Sequence, residues 1–248
     1  MKPRVMSLVL FTCMVGLVVA PNKVSYLNSI ISLVAVALGA GAAGTLNMWY
    51  ESDLDALMTR TCLRPIPTGQ VTKKQALFFG VLLSIGSVSL LYFSSNLMSA
   101  SLLLLTICFY FFIYTVWLKR RTPQNIVIGG AAGALPPVIG WTIATGSLSI
   151  EPLILFLIIF LWTPSHFWAL SIYKSNDYKK AKIPMLPIIY GIDKTKKNIF
   201  IYSLLMLPTI SILYFISFLS EIYFYPTLAL TIYYVYLCGT LLKVKKNK

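Results

Sequence analysis

The chain has 248 residues, of which 58% are apolar and only 11% charged, and its mean hydropathy is +0.79. Soluble domains run near about 45–50% apolar and about 25% charged, so an ordinary soluble enzyme is excluded. The formal charge of +14 does not describe a disordered basic tail either, because a chain that is 14% aromatic does not stay solvated.

A hydrocarbon core about 30 Å thick takes about 20 apolar residues per helix. Eight runs approach or meet that length: 5–20, 26–46, 76–93, 98–118, 126–146, 150–172, 199–218 and 222–242. Lipid offers no partner to an irregular backbone, so each run is predicted as a helix. Several gaps hold only a few residues, which makes sequential helices antiparallel neighbours. No ten-residue alternation is present, so a membrane barrel is excluded. The expected fold is an all-α membrane protein, a bundle of about eight transmembrane helices forming one domain over 1–248. Lys2 and Arg4 before the first run suggest a signal peptide. Val18-Val19-Ala20 lacks the small residue that cleavage needs, so that run is expected to remain a helix.

Twenty of the 21 basic residues fall on one predicted side. They are Lys2 and Arg4; Arg60, Arg64, Lys73 and Lys74; Lys119, Arg120 and Arg121; seven lysines from Lys174 to Lys197; and Lys243, Lys245, Lys246 and Lys248. Only Lys23 lies opposite. Basic loops stay on the cytoplasmic side, or the matrix side in a mitochondrion, and both termini are expected there. The charge therefore reports topology and is no sign of nucleic acid. Cys13, Cys62, Cys108 and Cys238 have no close-spaced pair and read as buried free thiols. The small-residue runs at 39–44 and 129–133 read as close helix contacts.

The chemistry concentrates in two polar stretches on the basic face, 47–75 and 173–198. Three of only seven acids lie in Asn47-Met48-Trp49-Tyr50-Glu51-Ser52-Asp53-Leu54-Asp55. On a helix Asn47, Glu51 and Asp55 form one stripe, and neighbouring carboxylates repel unless a cation offsets them. A solvated helix end explains single acids. A stripe of hard oxygen donors suits Mg²⁺, which takes one or two carboxylates plus substrate phosphates. Asp53 points off the stripe. Arg60 and Arg64, one turn apart before Pro65 and Pro67, fit diphosphate oxygens. Lys119, Arg120 and Asn125 are further phosphate candidates, whereas Lys73 and Lys74 read as membrane anchors. In the second stretch Asp177 takes the corresponding place after the sixth run, with Asn176 and Tyr173 beside it.

The only histidine, His166, sits about two turns before the end of the sixth run, between Trp162 and Phe167-Trp168. It reads either as a hydrogen-bonded core residue near Pro164 or as a contact for an aromatic ligand such as haem.

Taken together these blocks resemble the UbiA family of intramembrane prenyltransferases. The matching residues include Asn47-Met48-Trp49-Tyr50-Glu51 through Arg64-Pro65-Ile66-Pro67, Tyr114 to Thr122 with Asn125, and Pro136-Pro137-Val138-Ile139-Gly140-Trp141. Trp162-Thr163-Pro164-Ser165-His166-Phe167-Trp168 and Asp177 to Pro187 resemble most closely the branch that farnesylates protohaem IX. The resemblance implies Mg²⁺ held by Asn47, Glu51, Asp55 and Asp177 as the catalytic set, and diphosphate bound by Arg60, Arg64, Lys119, Arg120 and Asn125. It also implies haem b, as substrate, against His166, Trp162 and Trp168. The substrates would be farnesyl diphosphate and protohaem IX, in a bacterial inner or mitochondrial inner membrane, with hand-off to a haem A synthase. Two departures stand out: Glu51 where aspartate is usual, and Asn176-Asp177 where two aspartates are common. A ninth family helix is not found. The rival readings are a quinone-ring prenyltransferase of the same fold and a transporter with a cytoplasmic anion vestibule. Transporters bind near the midplane on broken helices, however, and these acids lie at the membrane boundary.

Overall fold

The computed structural model describes residues 3–216 and 218–244, without the side chain of Arg4; Lys2, Lys245, Lys246 and Lys248 lie outside the described residues. In chain order the helices are α1 (Pro3–Val19), α2 (Tyr26–Tyr50), the short α3 (Ser52–Leu57), α4 (Lys73–Ser94) and α5 (Leu97–Cys108). A π-helical segment (Phe109–Leu118) continues α5. Then come α6 (Asn125–Ala134), α7 (Pro136–Thr145), α8 (Ile150–Tyr173), the short α9 (Ser175–Lys180) and α10 (Leu186–Ile189), α11 (Ile192–Phe215) and α12 (Glu221–Lys243). Among the described residues seven helical spans are long and apolar enough to cross a membrane, and α1 is a shorter apolar helix beside them. No strand occurs among the described residues.

Helix ends fall where the sequence supplies partners for terminal backbone groups. Thr72 Oγ1 accepts from the Gln75 N–H at 3.3 Å while Gln75 Oε1 accepts from the Thr72 N–H at 3.0 Å, a reciprocal box that starts α4. Asn96 caps α5 by accepting from the Ser99 N–H, and its amide donates to the Thr142 carbonyl at 2.7 Å, fastening α5 to α7.

Two spans depart from simple helices. The fifth is divided at Leu135, because Pro136 and Pro137 bring no N–H to bond the preceding turn. The fourth changes register at Phe109, from where backbone bonds reach five residues back, as in Lys119 N–H to the Tyr114 carbonyl. Both departures matter for packing. Its first half, α6, packs on α8, and its second half, α7, packs on α1 and α5. One buried core joins residues such as Cys13, Val36, Leu91, Leu103 and Ile139. The other joins Ile126, Trp168 and Ile199 to the motif-bearing stretches through Leu54, Met58, Ile183 and Leu186. The expectation of four buried thiols is corrected at Cys62 and Cys108, which are half-buried, while Cys13 and Cys238 are buried. Cys62 lies in the loop after α3, where its thiol donates to the Thr59 carbonyl.

Two glycines bring backbones into contact. A Cβ on Gly140 would stand 1.9 Å from the Cys13 carbonyl oxygen, and one on Gly16 would stand 2.0 Å from that of Pro137. No side chain fits at either crossing of α1 with α7.

Candidate active site

The stripe of Asn47, Glu51 and Asp55 survives the junction of α2 with α3, because the Asp55 N–H bonds to the Glu51 carbonyl at 2.8 Å and continues the helical spacing. All three side chains are buried, at 1%, 1% and 4% exposure. Buried carboxylates need compensation, and each has a cation. Lys119 Nζ lies 2.5 Å from Glu51 Oε2. Arg64 Nη1 donates to both Asp55 oxygens, at 2.8 and 2.6 Å. The Asn47 amide adds a bond to Glu51 Oε2 at 2.8 Å. Five residues proposed for phosphate or metal on sequence grounds, Asn47, Glu51, Asp55, Arg64 and Lys119, are thus already joined to one another across α2, α3, the following loop and the end of the π-helical segment.

Other predicted residues are placed differently. Asp53 points off the stripe into solvent, where Arg120 grips it with bonds of 2.8 and 3.0 Å and stacks over Tyr50. Burial pushes the Asp53 carboxyl up, but the hydrogen bond and charge of Arg120, with backbone N–H groups, hold it below its usual value. The same hydrogen bond raises the Arg120 guanidinium further. Arg120 is therefore turned to Asp53 and away from the stripe. Arg60 is exposed and makes no ion pair among the described residues. Asn125 is fully buried; its amide donates to the Thr122 carbonyl at 2.6 Å, and its Oδ1 has no partner. Asp177 is half-buried and accepts a 3.3 Å bond from Thr59, which brings the second polar stretch to the loop of the first.

His166 stacks on Trp162, with centroids 4.5 Å apart, and meets Phe167 edge-on. Trp168 is not part of that face. Two positions place it about 200° around the helix, where it is 1% exposed and packs on Tyr202 in the second core. The grouping of Trp168 with His166 is corrected on this ground; Trp162 remains with it.

Sequence reasoning missed Thr115, Tyr110, Tyr114 and Thr59. Thr115 is fully buried and accepts from the Asn47 amide at 3.0 Å. Tyr110 lies within electrostatic range of Lys119, Glu51, Arg64 and Asp55, and Tyr114 within range of Glu51 and Arg60. Gly129 makes room for the Tyr114 ring, since a Cβ there would come within 2.2 Å of it. The signal available was two phenols and a hydroxyl within nine residues of Lys119, hidden in an otherwise apolar run.

The donor set fits a hard cation. Glu51 Oε1 and Ser52 Oγ are neighbouring buried oxygens without a hydrogen-bond partner. Among the described residues no three carboxylates, imidazoles or thiols converge enough to enclose a metal alone. A cation here would need substrate or water oxygens to complete its shell, which is the habit of Mg²⁺. The nearby surface cavity of about 360 Å³, on the Asp53 side of α3, includes none of Asn47, Glu51, Asp55 or Asp177.

The UbiA prenyltransferase family matches residues 9–248, and the chain belongs to it. It is 67% identical to a protein named protoheme IX farnesyltransferase from Pelagibacter ubique, over 100% of this chain and 82% of that one. A protein of the same name from Parvibaculum lavamentivorans is 53% identical over 93% of this chain and 72% of its own. A UbiA homologue from Archaeoglobus fulgidus, solved bound to DMAPP and Mg²⁺, superposes with a TM-score of 0.77 at 16% identity, covering 96% of this chain and 85% of that one.

Proposed function

We propose that the chain transfers a farnesyl group from farnesyl diphosphate to a vinyl group of protohaem IX in a bacterial inner membrane, giving haem O and diphosphate. The observation that carries the reading is identity of 67% over the whole chain to a relative named for that activity. The site supports its first half directly. Glu51, Asp55 and Asp177, with Asn47, would hold Mg²⁺, which when bound supplies Lewis-acid stabilisation of charge on the diphosphate.

The residues of this chain do the rest. Arg64 and Lys119 neutralise the two buried carboxylates. With those carboxylates turned to Mg²⁺, Arg64 and Lys119 would donate to phosphate oxygens, joined by exposed Arg60. Asn125 would join them through the second N–H of its amide, the first being held by the Thr122 carbonyl. As the bond from the farnesyl C1 to oxygen breaks, its electrons leave with diphosphate, and these cations stabilise the developing charge. Tyr110, Tyr114 and the apolar bundle keep water from the allylic cation. The terminal vinyl carbon forms the new bond to C1. Water then adds to the remaining vinyl carbon and loses a proton, leaving the hydroxyl. His166 and Trp162 offer a flat, half-buried aromatic face for the porphyrin. A product so apolar stays in the bilayer, where a haem A synthase would take it over.

Incubating purified membranes with haem b, farnesyl diphosphate and Mg²⁺ tests this. The expected result is a haem gaining the mass of a farnesyl group plus a hydroxyl. A quinone-ring acceptor prenylated in its place would overturn the haem assignment and leave the prenyl site standing.

A further inference from the structure

We infer that Thr115 is a positioning residue: through the π-helical register it fixes the amide of Asn47, and through that amide the carboxylate of Glu51. The inference rests on the prenyl diphosphate reading of the site.

The geometry leaves one orientation for the network. Thr115 Oγ1 lies 2.8 Å from the Tyr110 carbonyl, a pure acceptor, so its single proton goes there. Its lone pair then faces Asn47, 3.0 Å away. On the other side of Asn47 stands the Glu51 carboxylate, which accepts only. Between two acceptors only the NH₂ end of the amide fits, so Asn47 Oδ1 is turned from both. The side chain thus acts as a donor bridge holding Glu51 Oε2 on the side of Lys119. Glu51 Oε1 is left buried and unpartnered.

The register makes this possible. The Thr115 hydroxyl bonds five residues back, as does the Lys119 N–H to Tyr114. Each π turn takes about one more residue than an α turn. The widening re-aims the end of the fourth span, so that the Thr115 hydroxyl and the Lys119 ammonium meet the stripe together. The contacts that Thr115 and Lys119 make to the Asn47–Glu51 unit come from residues beyond the register change.

The test compares Thr115→Val, which keeps the shape and loses the lone pair, with Thr115→Ser, which keeps the hydroxyl and loses a methyl. Titration calorimetry on detergent-purified protein reads the binding of inorganic diphosphate at graded Mg²⁺, and thermal unfolding without ligands monitors the fold. The expected result is diphosphate affinity at fixed Mg²⁺ weakened about tenfold in Thr115→Val, the loss of about one hydrogen bond. Thr115→Ser should bind as the parent does. Should the valine variant not accumulate, Thr115→Ala carries the same comparison. In an Asn47→Ala background Thr115→Val should add nothing, since Thr115 acts through Asn47. Unchanged binding in Thr115→Val, equal loss in Thr115→Ser, or additive losses in the double variant would each overturn the positioning role. No Mg²⁺-dependent diphosphate binding in the parent would bring down the reading of the site and this inference with it.

Discussion

Glu51 and Asp55 are almost inaccessible and each already faces a cation, whereas Asp177, in the corresponding place after the sixth span, is half-buried and accepts a single 3.3 Å bond from Thr59. The apolar residues beside these acids do not differ in the same way. Leu54 and Met58 from the first stretch and Ile183, Met185 and Leu186 from the second share one buried core. The frame of both motifs is therefore fixed, while their carboxylates differ in how much folding depends on them. The first motif is a structural unit held by its own counter-ions. The second presents an acid whose loss folding should barely feel.

Substitutions sharpen that contrast. Glu51→Gln and Asp55→Asn should lower farnesyl transfer by about 100-fold or more, equivalent to about 2.7 kcal/mol, and should also lower the unfolding temperature, because Lys119 and Arg64 lose their partners. Asp177→Asn should be as severe in turnover, since position 176 is an asparagine and offers no second carboxylate. Its unfolding temperature should match the parent; a destabilised Asp177 variant would erase the difference between the motifs. Lys119→Met leaves Glu51 with the Asn47 amide alone. That should cost about 2 kcal/mol, a buried-pair loss discounted for the partial exposure of Lys119. Added Mg²⁺ should restore the unfolding temperature of this variant more than that of the parent, because no ammonium competes for the carboxylate.

The smallest effect belongs to Asp53 and Arg120, whose side chains are 55% and 35% exposed. Arg120→Ala should cost under about 1 kcal/mol and should leave turnover near normal, as should Lys73→Ala. The Asp53 carboxyl titrates below its unfolded value. Its small contribution is therefore complete above the unfolded pKa of about 3.9 and fades as pH falls through the lower folded value. Acid unfolding curves of the parent and Arg120→Ala should converge only in that range.

Length and hydropathy sufficed for the spans, because lipid leaves the backbone few alternatives. The acidic stripe was equally readable, since spacing by four puts Asn47, Glu51 and Asp55 on one side of any continuous helix, and Asp53 off it. Partners across the bundle were not readable. That Arg120 turns to Asp53 depends on where the fourth span ends its rotation, and the π register that sets this leaves no mark in an unbroken aromatic run. Pro136-Pro137 did carry a visible break, yet its effect, dividing one span between two cores, needs neighbours to be known. Trp168 shows the limit of proximity in sequence: it is two residues from His166 and faces a different core.

The contact of α1 with α7 at Gly16 and Gly140 has a consequence for biogenesis. The first helix emerges from the ribosome some 120 residues before the segment whose backbone it touches. Until α7 is inserted, a 17-residue helix waits in the bilayer without its main partner. Its docking is a long-range closure, slower than the pairing of adjacent hairpins. A bulky residue at Gly140 would block that docking step and leave α1 a tethered but unassembled segment, exposed to the quality-control proteases that survey the membrane.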